Sequence, residues 1–502
     1  MTIFDACGWS LGRSAGVALV AALLCRRLHN WLQTRSPGSR RGAWGTLTVT
    51  LLFPSLLAGY AYTGGSLQLL QLVPGIDGLT GGWEAARDWI LAHNDLADEV
   101  LLDLLLLARA LPVGLVVLLL APRSSVSSAA LHCRRLVWKG ADPGWRRWPT
   151  ALAWRARAGW RAPLALLLLV WLFTFQEFEL ASLLKRPAWT VWLFDAQVGG
   201  LSIAQSMRMT AGPAAIQLVL MAAAWPLLRT PGAPRGTIDP RETPSPTSWL
   251  GGLAGWGVVV WGVGITALAP ILLVGRDTLD GLLFLARNAP PRERLLTEIS
   301  VGLGLALAGA LLATGLVRLG LRGGALRRTL LWLGLAPGLC GSLLVSLSLV
   351  ALLQYSFLHR AYKTPVSYLL GLALALLPRA WLLAILLRET KDSAALSLAG
   401  LLQRSPNARL RRRADGIAWR LGGRGTFWSV ALLTWWGYLD LTVAYLLGPV
   451  SIVSVPVLLY NHMHFGKNAV LAATTFVAVA APALVFAAAA ALRPVVVRWF
   501  WS

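Results

Sequence analysis

The chain has 502 residues, of which 56% are hydrophobic and 14% are charged, and its mean hydropathy is +0.61. A soluble protein carries roughly a quarter charged residues, so this composition excludes a soluble globular protein. The formal net charge is +24, but the basic residues lie between apolar runs, as in the cytoplasmic loops of membrane proteins, which argues against nucleic-acid binding. Cys7, Cys25, Cys133 and Cys340 form no CxxC pair, which argues against disulfide and zinc chemistry.

Apolar runs long enough to cross a membrane recur along the whole chain. In chain order they are 11–25, 43–63, 100–121, 163–184, 210–228, 249–274, 299–318, 329–354, 366–388, 426–447 and 468–491. A transmembrane helix needs about 20 predominantly apolar residues. The sequence therefore predicts an all-α integral membrane protein with about eleven transmembrane helices.

The charged residues predict how these helices are oriented. Most arginines lie in segments 26–41, 122–162, 229–248, 319–328 and 389–425 and after residue 493, whereas segment 64–99 is mainly acidic. Because Lys and Arg accumulate on the cytoplasmic side, we predict a multi-pass protein of the bacterial inner membrane, with its N-terminus outside and its C-terminus inside. Lys185, Arg186 and the 287–294 region are exceptions, since they fall on the predicted outer side.

Two arginine-rich segments share the same order of motifs. Both begin with Ser-Ala-Ala-Leu, at Ser128 and at Ser393, and both continue to Ala-Trp-Arg, at Trp154 and at Trp419. The serines are 265 residues apart, and so are the tryptophans. This shared spacing indicates two copies of one element.

Similar residues extend this repeat beyond the two segments. The matched pairs are Pro54 with Pro337, Pro112 with Pro378, and Glu179 with Asp440 if one residue is gapped. The sequence thus predicts two parallel five-helix repeats, each with three helices before its basic segment and two after, plus one additional helix at 249–274. The predicted domains are a first repeat (1–228), a cytoplasmic linker (229–248), the additional helix with an outer loop (249–298) and a second repeat (299–502).

Five helices per half, with a long basic loop between the third and the fourth, resemble the permease subunits of binding-protein-dependent ABC importers. In that family the loop begins with an EAA sequence, followed by a glycine and a later I-x-L-P, and it docks into a groove of the ATPase subunit. Here Ser128-Ala129-Ala130-Leu131 and Ser393-Ala394-Ala395-Leu396 occupy the EAA position, and the resemblance implies that they couple to the ATPase. The sequence departs from the family pattern because serine replaces the glutamate in both copies, Arg134 and Ala399 fill the glycine position, and I-x-L-P is absent.

Two such halves in one chain resemble the iron(III)-type permeases, a group that includes thiamine importers. The local match is Asp440-Leu441, then LLGP, then Met463-His464-Phe465-Gly466 in the place of a run like MHYG. The resemblance implies alternating access driven by two ABC ATPase subunits, and a periplasmic or lipoprotein substrate-binding protein that delivers the cargo. It favours ferric iron as the cargo, while thiamine or another small solute stays open.

Polar residues within the apolar segments are the candidates for the translocation path. Glu177, Glu179 and Asp440 lie in or near predicted helices, where an ionised carboxylate is costly and usually faces a cavity or a partner. They line the central passage, or hold the two halves in register, or lie hydrated near the outer interface. His464 is a further candidate, but His462 and His464 are two residues apart and point to nearly opposite faces of a helix, so they cannot chelate a metal together there.

Other features limit the possible functions. No G-x-x-x-x-G-K-[ST] phosphate loop occurs, so ATP-driven transport requires another polypeptide. No cluster of polar residues at one membrane depth predicts an enzyme, and we predict no catalytic residue, metal or cofactor. Tryptophans at helix ends are expected to contact membrane lipid. The alternative function is an ATPase-independent secondary transporter, whose helices would be broken at matching positions, as the proline pairs would allow.

Overall fold

The computed structural model describes residues 2–63, 83–120, 161–228, 249–355, 357–390, 393–449, 452, 454–464 and 468–500. All regular secondary structure in these ranges is helical, which confirms the all-α prediction. Seven of the described helices are long and apolar enough to cross a membrane, or up to ten if each of three bent helix pairs forms one span. The protein is therefore membrane-embedded, and the figure of about eleven spans stays a prediction.

The helices of the first part of the chain are α1 (Ile3–Gln33), α2 (Pro37–Leu52), α3 (Ser55–Tyr62), α4 (Trp83–Leu120), α5 (Arg161–Phe175), α6 (Glu179–Leu183), α7 (Trp189–Val198), α8 (Ile203–Leu228) and α9 (Trp249–Val263). A π-helical turn, Gly264–Leu268, joins α9 to α10 (Ala269–Arg287). The remaining helices are α11 (Ala289–Arg322), α12 (Ala325–Leu339), α13 (Ser342–Leu353), α14 (Pro365–Thr390), α15 (Ser393–Gln403), α16 (Ala408–Ala418), α17 (Arg424–Tyr438), α18 (Leu441–Leu447), α19 (Val455–His464) and α20 (Asn468–Phe500).

The chain divides into two compact units. The first comprises residues 1–195 and 215–273, and the second comprises residues 196–214 and 274–502. The additional helix predicted at 249–274 thus belongs almost entirely to the first unit, where α9 packs against α1, α2 and α4. The boundaries of the four domains predicted from the sequence stay predictions.

In the first unit, α1 packs against α4 and α5, and α4 also packs against α2 and α5. The short helix α3 lies against α6. Fully buried leucines fill these interfaces, among them Leu105, Leu111 and Leu166. Gly114 lets α4 approach its neighbours, since a Cβ at this position would collide with Cys25. Small residues of this kind allow close packing in a membrane, where apolar side chains gain little by leaving the lipid.

In the second unit, α11 packs against α14 and α17, and α14 also packs against α12 and α17. The helix α13 lies against α18. Buried residues such as Ala310, Leu376 and Leu433 form part of this core. The helix pairs that touch therefore follow one another in the same chain order as in the first unit, with α11 in the place of α1 and α14 in the place of α4.

Three of the predicted spans are pairs of helices that bend by more than 40° at a short break, and the predicted span 163–184 is also divided, into α5 and α6. The chain bends by 74° between α2 and α3, by 111° between α12 and α13, and by 58° between α17 and α18. Pro54 precedes α3 and has no backbone N–H for a helical hydrogen bond. Gly341 precedes α13 with φ of 98°, a conformation that favours glycine. The sequence predicted one span for each of these runs. An apolar run indicates that its residues can lie in lipid, but it does not show where the backbone changes direction.

Candidate functional site

The breaks of two bent helices meet in the second unit. Helix α13 begins at Ser342 and α18 begins at Leu441, and the two helices pack against each other. The hydroxyl oxygens of Thr442 and Ser342 lie 2.6 Å apart, which is hydrogen-bonding distance. The two interruptions are thereby joined through side chains at the point where each helix restarts.

Asp440 is the acidic residue of this junction. It caps α18, because its Oδ1 accepts hydrogen bonds from the Val443 backbone N–H at 3.0 Å and from the Thr442 hydroxyl at 2.9 Å. Since a hydroxyl has one proton, Thr442 donates to Asp440 and accepts from Ser342. The residue is only 8% exposed. The sequence candidate Asp440 therefore lies buried at the junction of the two breaks.

Glu177 has a similar position in the first unit. Its Oε1 accepts a hydrogen bond from the backbone N–H of Leu180, at the start of α6, over 3.0 Å. Its Oε2 lies 3.9 Å from Nη1 of Arg109, and the same Nη1 donates to Oγ of Ser55 over 2.6 Å. Ser55 is the first residue of α3, which packs against α6. A carboxylate again connects the starts of two short helices, here through an arginine.

The capping role falls to Glu177 and not to Glu179, which the sequence analysis aligned with Asp440. Glu179 lies in the first turn of α6. The sequence alignment leaves one residue as a gap at this place. Glu177 precedes the N-cap residue of α6, Phe178, and its side chain accepts from a backbone N–H of the first turn, as Asp440 does at α18. Both residues remain candidates for the translocation path.

The sequence analysis missed Arg109, Ser55 and Ser342. Arg109 lies within the apolar run 100–121, and a charged residue inside such a run is a signal that would have identified it. Ser55 and Ser342 could not be identified from the sequence, because hydroxyl side chains are common in transmembrane helices. These two serines matter only because each begins a helix after a break.

The capping geometry predicts the effect of changes at Asp440. Replacement by alanine removes both hydrogen bonds to Oδ1 and is expected to lower the free energy of unfolding by about 1 kcal/mol. Replacement by asparagine keeps an acceptor oxygen and is expected to cost only a few tenths of that amount. Denaturant titration of the purified protein in micelles measures both. An equal loss in the two variants would contradict the capping role.

The Arg109 contacts predict a larger effect. Replacement of Arg109 by methionine removes the hydrogen bond to Ser55 and the positive charge near Glu177. We therefore expect a loss of about 2 kcal/mol in the free energy of unfolding. Lysine at position 109 keeps the charge and is the matched control, with a smaller expected loss. The same titration measures it, and a loss that is equal for methionine and lysine would show that the charge is not what matters.

The other candidate residues lie apart from these junctions in the chain. His462 and His464 both belong to α19, as the sequence analysis assumed when it placed them on different faces. Ser393, Ala394, Ala395 and Leu396 form the first turn of α15. Their predicted counterparts Ser128, Ala129, Ala130 and Leu131 lie outside the described residues. Within the described ranges, no three His, Cys, Asp or Glu side chains come together as a metal-binding group.

The second basic segment forms a helical hairpin. Helices α15 and α16 pack against each other, and Nε2 of Gln403 donates to Oδ1 of Asp415 across the pair over 2.9 Å. Asn407 caps α16 by accepting from the backbone N–H of Arg409. The π-helical turn Trp419–Gly423 then connects α16 to α17, so that residues 408–438 form one continuous helix. The hairpin is thus attached directly to α17, which ends at Tyr438, two residues before Asp440.

Comparison of the chain with protein-family models, with curated proteins and with solved structures finds no match in any of the three.

Proposed function

We propose that this chain is the permease subunit of an ABC importer. The observation that supports it best is the hairpin of α15 and α16, which lies between α14 and α17 in the chain. Leu398 and Leu401 on α15 are 56% and 66% exposed. On α16, which packs against α15, four arginines are also exposed, namely Arg409, Arg411, Arg412 and Arg413. Exposed apolar side chains next to guanidinium groups are typical of a protein-docking surface.

The hairpin is connected to the candidate path in a way that suits coupling. A force on α16 reaches α17 through a continuous helix, and α17 ends at the break where Asp440 caps α18. In the proposed mechanism two ATPase subunits close on ATP and push the hairpin of each half, so that the passage opens alternately to the two sides. A substrate-binding protein delivers the cargo from outside.

A duplicated architecture belongs to this proposal. The similar order of helix contacts in the two units supports two fused repeats, and their parallel orientation belongs to the proposal as a prediction from the sequence. The similar placement of Glu177 and Asp440 at helix starts is a second supporting observation. In this proposal the basic hairpins face the cytoplasm of a bacterial inner membrane, with the N-terminus outside and the C-terminus inside.

Ferric iron is the favoured cargo, on the resemblance to iron(III)-type permeases. Glu177, Glu179, Asp440 and His464 are the proposed path residues. Thiamine or another small solute is the alternative cargo. The proposal needs neither a catalytic residue nor a resident cofactor, because the partner ATPases hydrolyse the nucleotide.

Growth under iron limitation tests the proposal. A strain that lacks its own iron import should grow when the chain is supplied with its ATPase and binding protein. Replacement of both Ala130 and Ala395 by aspartate should abolish this growth, because a charge on the docking surface opposes association. The matched control replaces both by serine. Purification of the wild-type chain without any ATPase would contradict the proposal, as would growth that survives the aspartate pair.

A secondary transporter is the second candidate, and the broken helices favour it. Transporters of this class place their substrate and ion sites at discontinuous helices, and here three bent pairs occur among the described residues. Uptake by the purified chain alone in vesicles, driven by an ion gradient and without ATP, would support this candidate. Uptake that requires the ATPase would support the first.

A further inference from the structure

Asp440 is a buried acid without a described counter-charge. The residue is 8% exposed, and it forms no ion pair with a described Lys, Arg or His. Glu177, which has the similar capping role in the first unit, has Arg109 at 3.9 Å. An ionised carboxylate within a membrane protein is costly unless a positive charge balances it. The first unit thus supplies its own positive charge, whereas the described part of the second unit does not.

Asp440 and the first turns of α13 and α18 contribute several oxygen atoms to this junction. Its Oδ1 accepts two hydrogen bonds, and its Oδ2 accepts none from the described residues. The hydroxyl of Thr442 contacts the carboxylate, and the hydroxyl of Ser342 contacts that of Thr442. Ser346, one helical turn after Ser342 on the same face of α13, is fully buried, and its hydroxyl has no described partner. A buried polar group without a partner is rare and points to a ligand or a water.

Two buried tyrosines extend this polar region. Tyr368 lies in the same buried cluster as Val443, whose backbone N–H donates to Asp440, and Tyr438 is the last residue of α17, two residues before Asp440. Tyr438 is 2% exposed, and its hydroxyl also has no described partner. Carboxylate and hydroxyl oxygens are the ligands that hard cations prefer. The chemistry of the region is therefore that of a site for a cation.

From this arrangement we infer that the junction of α13 and α18 binds a monovalent metal cation, with Na⁺ as the first candidate. Oδ2 of Asp440 and the hydroxyl oxygens of Thr442, Ser342 and Ser346 are its proposed ligands. One carboxylate balances one positive charge, whereas a divalent ion would leave a net charge buried in the membrane. The capping role of Asp440 accounts for the hydrogen bonds of Oδ1. It does not account for Oδ2 or for the buried hydroxyl of Ser346, neither of which has a described hydrogen-bond partner.

The location at two helix breaks fits this inference. At each break the preceding helix ends, α12 at Leu339 and α17 at Tyr438. The C-terminal ends and unwound carbonyls of discontinuous helices coordinate Na⁺ in transporters. A bound cation would contact residues of both α13 and α18 and would hold the two breaks together. The inference does not depend on an ATPase partner, so it stands or fails separately from the proposed importer function.

Thermal unfolding of the purified full-length chain in lipid nanodiscs tests the inference. The intrinsic fluorescence of the chain's 25 tryptophans reports unfolding. Sodium chloride is exchanged for choline chloride at constant ionic strength, and the midpoint should rise with Na⁺ concentration, because a ligand that binds only the folded state stabilises it. D440N keeps the helix cap and should abolish the response. Ser346→Ala and Ser342→Ala should each weaken the apparent Na⁺ affinity about tenfold.

The controls separate a specific site from general effects of salt. Glu177→Gln removes a similar charge where Arg109 is present, and it should leave the Na⁺ response intact. Four results would overturn the inference: no response of the wild-type chain, an equal response to choline, a response that persists in D440N, or stabilisation by acid alone, which would assign the missing charge to a proton. If D440N does not fold, the two serine variants decide, and an unchanged Na⁺ affinity in both overturns the inference.

Discussion

For the proposed importer, replacement of Leu398 and Leu401 together by aspartate is expected to abolish nucleotide-driven uptake without unfolding the protein. Both side chains are more than half exposed, so their removal takes little from the folded core. A central apolar contact of a protein interface contributes about 2 kcal/mol or more, which weakens binding at least thirtyfold. Two carboxylates in an apolar groove add the cost of their desolvation. Uptake by vesicles that contain the chain and its ATPase measures the effect.

The matched control replaces the same two leucines by methionine. Methionine has a similar volume and remains apolar, so docking and uptake should be largely retained. The amount of ATPase that co-purifies with each variant shows whether docking is the step that fails. Normal uptake by the aspartate pair would contradict the assignment of this surface. Lost uptake with normal co-purification of the ATPase would place the defect after docking.

The helical architecture was accessible from the sequence because it depends on composition. Long apolar runs with few charges can satisfy their backbone hydrogen bonds in lipid only as helices, and every predicted run contains a described helix. The breaks were not accessible, since they depend on single backbone positions. Gly341 turns the chain by adopting φ of 98°, and nothing distinguishes it in sequence from the many glycines that lie inside helices.

The candidate site was accessible only in part. Glu177 and Asp440 were identified because acids in apolar segments are costly, which is a property of each residue alone. Arg109 and Ser342 become relevant through contacts with residues far away in the chain, at Glu177 and at Thr442. Such contacts follow from the packing of α3 on α6 and of α13 on α18, which no local pattern reveals.

The charged residues on the predicted outer side also form contacts that the sequence alone did not reveal. The orientation rule marked Arg186 as an exception, and the structure shows what balances it. Its guanidinium lies 3.0 Å from Oδ1 of Asp95 and 3.7 Å from Oε2 of Glu99. Both acids belong to the acidic segment 64–99 that the sequence analysis identified. The sequence analysis thus identified the arginine and the acidic segment separately, and the tertiary structure shows that they form ion pairs.

Arg13 completes this group and should be its most sensitive member. Its side chain is 5% exposed, and its Nε lies 2.7 Å from Oε1 of Glu99. Its Nη2 also donates to the backbone carbonyl of Pro187 over 3.0 Å. These contacts connect α1, α4 and the segment between α6 and α7 within the first unit. Few ion pairs at an exposed surface contribute measurably, but a buried and hydrogen-bonded one does when a single partner is removed.

Replacement of Arg13 by methionine is therefore expected to lower the free energy of unfolding by about 3 kcal/mol. The loss arises because Glu99, whose side chain is only 19% exposed, keeps its charge and retains only the longer contact to Arg186. Replacement of both residues, R13M with E99Q, should recover part of this loss, since no partly buried carboxylate is then left without the arginine at position 13. Arg13→Lys should lower the free energy of unfolding by less than methionine does, because lysine keeps the positive charge. It should still cost something, because lysine cannot contact Glu99 and the Pro187 carbonyl with two separate nitrogen atoms. Denaturant titration in micelles measures all three variants, and a double variant less stable than R13M would show that packing, and not the charge of Glu99, makes Arg13 important.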